Sequence, residues 1–171
     1  IPIFVFVQFT SQIVENAVDA LSSFPGIGKR TALRLVMHLM NRPEQEVAHI
    51  ADALIKLKTE LHLCDSCGTV SDQKICTICS DPKRTEDIIC VVEDFSDLMA
   101  IESTAQFKGR YHVLGGLISP IDGVGPGDLN INNLVERVEQ QNPTEVILAL
   151  SATVEGDTTM YYIAKKLQSF S

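Results

Sequence analysis

"DIICVVED", residues 87–94, decides the fold. Five apolar residues follow one another without a break, from Ile88 to Val92, and two acids, Glu93 and Asp94, close the run. A short apolar stretch with no polar face reads as a strand covered on both sides, the usual condition of a parallel sheet. The sequence downstream supports this. "FSDLMAIESTAQF" (95–107) predicts a helix and "RYHVLGG" (110–116) a second strand. "LISPIDGVGPGDLNI" (117–131) predicts a long Gly/Pro loop, "NNLVERVEQQ" (132–141) a helix, "EVILAL" (145–150) a third strand and "TTMYYIAKKL" (158–167) a last helix. Strands alternating with helices imply a parallel α/β sheet with helices on both faces. Three strands are few for such a sheet and the chain stops just after a helix, so a further C-terminal piece is expected. Cys90, inside the first strand, reads as core, and Tyr161 and Tyr162 on the last helix as packing residues.

Upstream lies "CDSCGTVSDQKICTIC", residues 64–79, with four of the chain's five cysteines. Two C-x-x-C pairs stand eight residues apart. Each C-x-x-C turn aims two thiolates at one point, and the link folds the second turn onto the first, which suits tetrahedral zinc. Gly68 relaxes the first turn. Val70, Ile75 and Ile78 are too little to form a core, so metal binding would supply the folding energy. A thioredoxin-like redox site needs a C-x-x-C opening a helix after a strand, and neither pair sits there. Four cysteines leave no open position for a catalytic metal. The expectation is one structural Zn2+ per chain on Cys64, Cys67, Cys76 and Cys79.

The first third is helical. "QIVENAVDAL" spaces Ile13, Ala17 and Leu21, with Val14 and Val18, three and four apart. "SSFPGIGKR" interrupts it with Pro and two Gly. "TALRLVMHLM" resumes with Leu33, Val36, Met37 and Met40 on one face. A third helix is expected over roughly 43–61, opened by Pro43 and acidic residues. A helix, a Gly-x-Gly turn and a second helix make a helix-hairpin-helix. Gly26 and Gly28 let the backbone approach a phosphate. The amides opening the second helix favour anions, and Lys29, Arg30 and Arg34 add cations at the same end. A plain αα-turn with solvated cations is the alternative reading. Ile27, at the turn tip, reads as a plug between the two helices.

The 171 residues are 45% apolar and 21% charged, a composition that folds. The net charge is −8, from 14 Lys and Arg against 22 Asp and Glu. That excludes a protein coated in nucleic acid but not a local basic face. No apolar run approaches the ~20 residues that span a bilayer, so no membrane partner is expected. "IPIFVFVQFT", residues 1–10, has neither the basic flank nor the cleavage pattern of a signal peptide; a true first strand is one reading of it. With no secretion signal and close C-x-x-C pairs, a reducing compartment, the cytoplasm, is expected.

The order of hairpin, four-cysteine finger and "ICVVED…YHVLGGLISPIDGVGPGDLNI…EVILALSATVEGDTT" resembles the RecR family of bacterial recombination mediators, from about residue 13 to the end. The resemblance implies a mixed α+β chain of three parts: a helical region (12–62), a four-cysteine zinc finger (63–83) and a Toprim-like α/β domain (86–171), followed in the family by a segment beyond this chain's end. It implies a non-enzymatic, ring-shaped clamp, a dimer or tetrameric ring. Such a clamp binds gapped DNA or single-strand/duplex junctions without regard to sequence. It acts with RecO and RecF to load RecA on DNA coated by single-strand-binding protein.

Catalytic Toprim domains hold Mg2+ with a glutamate after the first strand and a D-x-D pair after a later one. Glu93 matches the glutamate. The "TDxDREGE" pattern falls on "LSATVEGD", which puts Ser151 and Thr153 where aspartates would stand. Hydroxyls lack the charge a hard cation wants, so no catalytic residue is expected; a Mg2+-dependent phosphoryl-transfer enzyme is the alternative. The acids Glu93, Asp94, Glu155 and Asp157 could face a basic partner, RecO being the candidate, or be a plain solvated face. The glycines of residues 115–127 lack the G-K-[ST] ending of a P-loop and read first as loop geometry.

Overall fold

The computed structural model describes residues 10–170, except the side chain of Ser169. The reading of residues 1–10 as a first strand lies outside this range but for Thr10. The chain divides into two compact units, one running to Thr59 and the other beginning at Glu60.

The first unit contains α1 (Gln12–Ser22), α2 (Lys29–Met40) and α3 (Glu44–Thr59). Helices α1 and α2 pack on each other through Val18, Ala32 and Val36, all buried, with Val14, Ala17, Leu21, Ile27 and Leu33 around them. Ile27 therefore plugs the hairpin as expected. The apolar faces are narrower than the sequence spacing implied: Ile13 is 81% exposed, and Met37 and Met40 are also exposed. The periodic stripe spans more of each helix than one neighbour can cover, and small Ala32 sits where the helices approach. Helix α3 has no buried residue.

The second unit opens with a short antiparallel pair, β1 (His62–Leu63) and β2 (Val70–Ser71), followed by the single-turn helix α4 (Thr77–Ser80). Then come β3 (Ile88–Val92), α5 (Phe95–Glu102), β4 (Arg110–Val113), α6 (Ile131–Gln141), β5 (Glu145–Ala149) and α7 (Val154–Leu167), ending in a 3-10 turn, Gln168–Phe170. The sheet is parallel, in the order β4-β3-β5. The run read first, Ile88–Val92, is thus the central strand, and its two faces alternate with period two. Ile89 and Val91 pack with Leu134 and Val138 of α6 and Ile163 of α7. Cys90 and Val92 pack with Leu98 of α5 and with Tyr111 and Val113.

Two helix ends depart from the expectation. Helix α5 stops at Glu102, not 107: Ser103 and Thr104 turn their hydroxyls back to the carbonyls of Ala100 and Ile101, both at 2.7 Å, and Ala105 takes φ +55°. Helix α7 begins at Val154, not 158. Its cap is Thr153, whose hydroxyl accepts from the Gly156 amide at 3.1 Å. A cap followed by acids, Glu155 and Asp157, in the first turn is a helix start. On α7, Tyr162 is half-buried against the core, while Tyr161 is 72% exposed and belongs to no apolar cluster among the described residues.

Candidate metal centre and the cleft at the strand ends

The four cysteines come from two turns. In the first, the Gly68 amide donates to the Cys64 carbonyl at 2.9 Å and the Cys64 amide to the Thr69 carbonyl at 2.7 Å. Gly68 sits at φ +74°, a left-handed conformation that glycine takes without cost. A Cβ there would also press on the Asn130 amide and lie 2.9 Å from the Val113 carbonyl. In the second turn, Cys76 caps α4 and its sulfur accepts from the Cys79 amide at 3.4 Å; the Cys76 amide donates to the Cys64 sulfur at 3.3 Å.

All four cysteines are buried, and their sulfurs lie within 4.8 Å of one another, Cys67 and Cys76 at 3.7 Å. A tetrahedral zinc with Zn–S bonds of ~2.3 Å sets sulfurs about 3.8 Å apart, so the donor set fits zinc. Crowding of the thiols divides their protons unequally. The sulfur contact with Cys67 draws the Cys79 thiol down, while burial pushes Cys76 up. Zinc resolves this by taking all four as thiolates. The site is closed and structural.

The finger docks on the α/β sheet through backbone groups. The Val113 amide at the end of β4 donates to the Cys67 carbonyl at 2.7 Å. Arg110 donates to the Cys79 carbonyl and pairs with Glu86 at 3.0 Å. Arg137, buried on α6, donates to the carbonyls of Tyr111 at 2.7 Å and Ser66 at 3.4 Å. Sequence reading missed both arginines. For Arg137 a signal existed: it lies three after Leu134 and one before Val138, on the apolar face of α6.

The second feature is a cleft of about 440 Å3 at the carboxyl ends of the strands, lined by Glu93, Gly115, Gly116, Ser119, Asp122, Ser151, Thr153 and Glu155. In an open parallel sheet this is where ligands bind, at the point where strand order reverses. The Ser151 hydroxyl donates to Glu93 Oε2 at 3.4 Å and lies 3.3 Å from the Thr153 hydroxyl. Burial, with help from Asp97 and Asp94, raises the Glu93 pKa. The two hydroxyls thus stand beside the glutamate, and Thr153 is occupied as a helix cap. Of the four acids singled out from sequence, Glu93 and Glu155 share the cleft. Asp94 instead caps α5, accepting from the Ser96 and Asp97 amides at 2.7 and 3.1 Å, and Asp157 is exposed in the first turn of α7. Asp122, held by the Ser119 hydroxyl at 2.6 Å, was not foreseen.

In the hairpin, Gly26 takes φ +78° and Gly28 caps α2 in an extended conformation. Lys29, Arg30 and Arg34 are exposed, and Lys29 reaches Asp19 at 3.3 Å.

Comparison with known proteins agrees with this layout. Residues 14–58 match the RecR helix-hairpin-helix family, 61–81 the RecR four-cysteine zinc-finger domain and 87–170 the Toprim domain. The recombination protein RecR of Amoebophilus asiaticus is 51% identical over 162 residues, 95% of this chain and 81% of its own length. The namesake proteins of Flavobacterium johnsoniae and Bacteroides fragilis are 51% and 50% identical, each over 94% of this chain and 78% of their own length. With the finger, the sheet and its cleft in that order, the chain belongs to the RecR family of recombination proteins.

Proposed function

We propose that this chain is a non-enzymatic DNA-binding adaptor of recombinational repair, working in the cytoplasm. It recognises gapped DNA or single-strand/duplex junctions without reading sequence. It acts with RecO and RecF to load RecA on DNA covered by single-strand-binding protein. The observation that carries the DNA contact is the hairpin. A left-handed Gly26 opens the turn to α2, and Arg30 and Arg34 stand exposed beside Lys29 at its start. Phosphates are the groups that such an end attracts. A single hairpin of this kind would bind weakly, with Kd around 10⁻⁴–10⁻⁶ M at physiological salt. Several copies joined as a dimer or tetrameric ring would add avidity.

The reading of the chain as a non-enzyme rests on the cleft, where Glu93 meets two hydroxyls instead of two carboxylates. The acids Glu93, Asp94, Glu155 and Asp157 are assigned to a basic partner, RecO. The test compares the parent with a Lys29→Ala, Arg34→Ala variant on gapped DNA at several salt concentrations. The variant should bind every sequence more weakly and with a flatter salt dependence, each lost phosphate contact removing roughly 0.9 from the log–log slope. Equal binding at all salt concentrations would place the DNA surface elsewhere. DNA or nucleotide turnover that requires Mg2+ and is lost in Glu93→Gln would restore the enzyme reading.

A further inference from the structure

Arg137 is a buried cation with no carboxylate partner among the described residues. Only 6% of it is exposed. Its hydrogen bonds go to the Tyr111 and Ser66 carbonyls and, from Nε at 3.0 Å, to the Gln141 side-chain oxygen. None of these acceptors carries charge, and Nη2 finds no acceptor among the described residues. A guanidinium does not lose its proton in a protein, and burying it unpaired is costly. Among the described residues, the charged or ionisable groups acting on it are Cys79, Cys67 and Cys64, the cation Arg110, and His112 on β4. Arg110 is already matched by Glu86.

The metal centre has the opposite deficit. Zn2+ on four thiolates carries two net negative charges in a place all four cysteines keep from water. Ser66, whose carbonyl holds the guanidinium, lies between Cys64 and Cys67. We propose that Arg137 is the counter-charge of the zinc centre: a positioning residue on α6 that offsets the tetrathiolate, so that zinc retention depends on the α/β part as well as on the cysteines.

The test uses the full zinc-loaded protein as parent, Arg137→Met, Arg137→Lys and Arg84→Met. Met fills the volume without charge, and Lys restores charge. Arg84→Met breaks the Arg84–Glu102 pair, the bond to the Gly109 carbonyl and the 3.9 Å approach to Asp81 at the end of α4, while leaving the guanidinium at Ser66 in place, so it measures general loosening. Zinc release to a colorimetric chelator and cysteine alkylation by iodoacetamide are timed at neutral pH. Supporting groups around metal ligands typically contribute 10–100-fold. Arg137→Met should therefore release zinc roughly 10–100-fold faster than parent, with alkylation rising in step. Arg137→Lys should recover most of the loss, and Arg84→Met should stay near parent. If Arg137→Met does not fold, Arg137→Gln, neutral and polar, is read in its place. Release at the parent rate from the neutral variant overturns the proposal. So does a Lys variant as leaky as the Met variant, or an Arg84→Met variant equally fast, since either makes shape or overall stability the cause.

Discussion

Gly156, in the first turn of α7, faces the carbonyl of Ser151 so closely that a Cβ would overlap the oxygen and stand 3.0 Å from the carbonyl carbon. The helix thus leaves β5 by folding straight back on the strand end, and the absence of a side chain, not an unusual φ, is what permits it. Gly156→Ala should destabilise the protein by roughly 1–3 kcal/mol, the usual result of overpacking. Thermal unfolding should register a drop of several degrees. An unchanged melting temperature would mean that the strand end yields freely.

The finger should fail as a unit. Cys76→Ser removes one of four thiolate ligands while a serine hydroxyl can still cap α4, so zinc stoichiometry should fall below one per chain. Acid should do the same to the parent. Zinc binding displaces thiol protons, so retention is full at neutral pH and is lost as falling pH returns them. Zinc content by elemental analysis after dialysis across a pH series reads both effects.

His112 gives a second pH dependence. It is fully buried on β4, its Nε2 lies 2.8 Å from the Asn130 carbonyl, and burial lowers its pKa from 6.5 to about 4. The unfolded chain therefore binds this proton more readily than the folded one. The group costs nothing above its unfolded pKa, and stability is lost as pH falls from about 6.5 toward 4. At pH 5 the loss amounts to roughly 2 kcal/mol, at ~1.4 kcal/mol per pH unit. Denaturant unfolding of parent and His112→Gln at pH 7.5 and 5 should show the parent losing that much more than the variant. Parallel behaviour would assign the acid sensitivity to other groups.

The cleft should ignore magnesium until it is given charge. Millimolar Mg2+ should leave the parent's melting temperature unchanged. A Ser151→Asp, Thr153→Asp variant adds two carboxylates beside Glu93, while an aspartate at 153 can still cap α7. It should gain Mg2+-dependent stability, about 2.7 kcal/mol when the ion is 100-fold above its Kd. No gain in the variant would show that the cleft geometry, not the missing charge, excludes the ion.

The sequence by itself determined whatever depends on near neighbours. Cysteine spacing specified the zinc ligands, because a C-x-x-C turn is complete within four residues. The unbroken run Ile88–Val92 specified a doubly covered strand, because period-two burial is a property of that segment alone. The Gly-x-Gly turn between two periodic stretches specified the hairpin for the same reason. The resemblance to catalytic Toprim domains already aligned Ser151 and Thr153 with the positions of two metal-binding aspartates. Only the tertiary structure decided the rest. It set how much of each apolar stripe is covered, leaving Ile13, Met37 and Met40 exposed. It turned "VEGD" into the start of α7, through a cap and a glycine contact that act across the end of β5. It also brought Arg137 beside Ser66, 71 residues earlier in the chain. Charge compensation and close packing join residues that no local spacing relates, so they become visible only when the strands and the finger stand side by side.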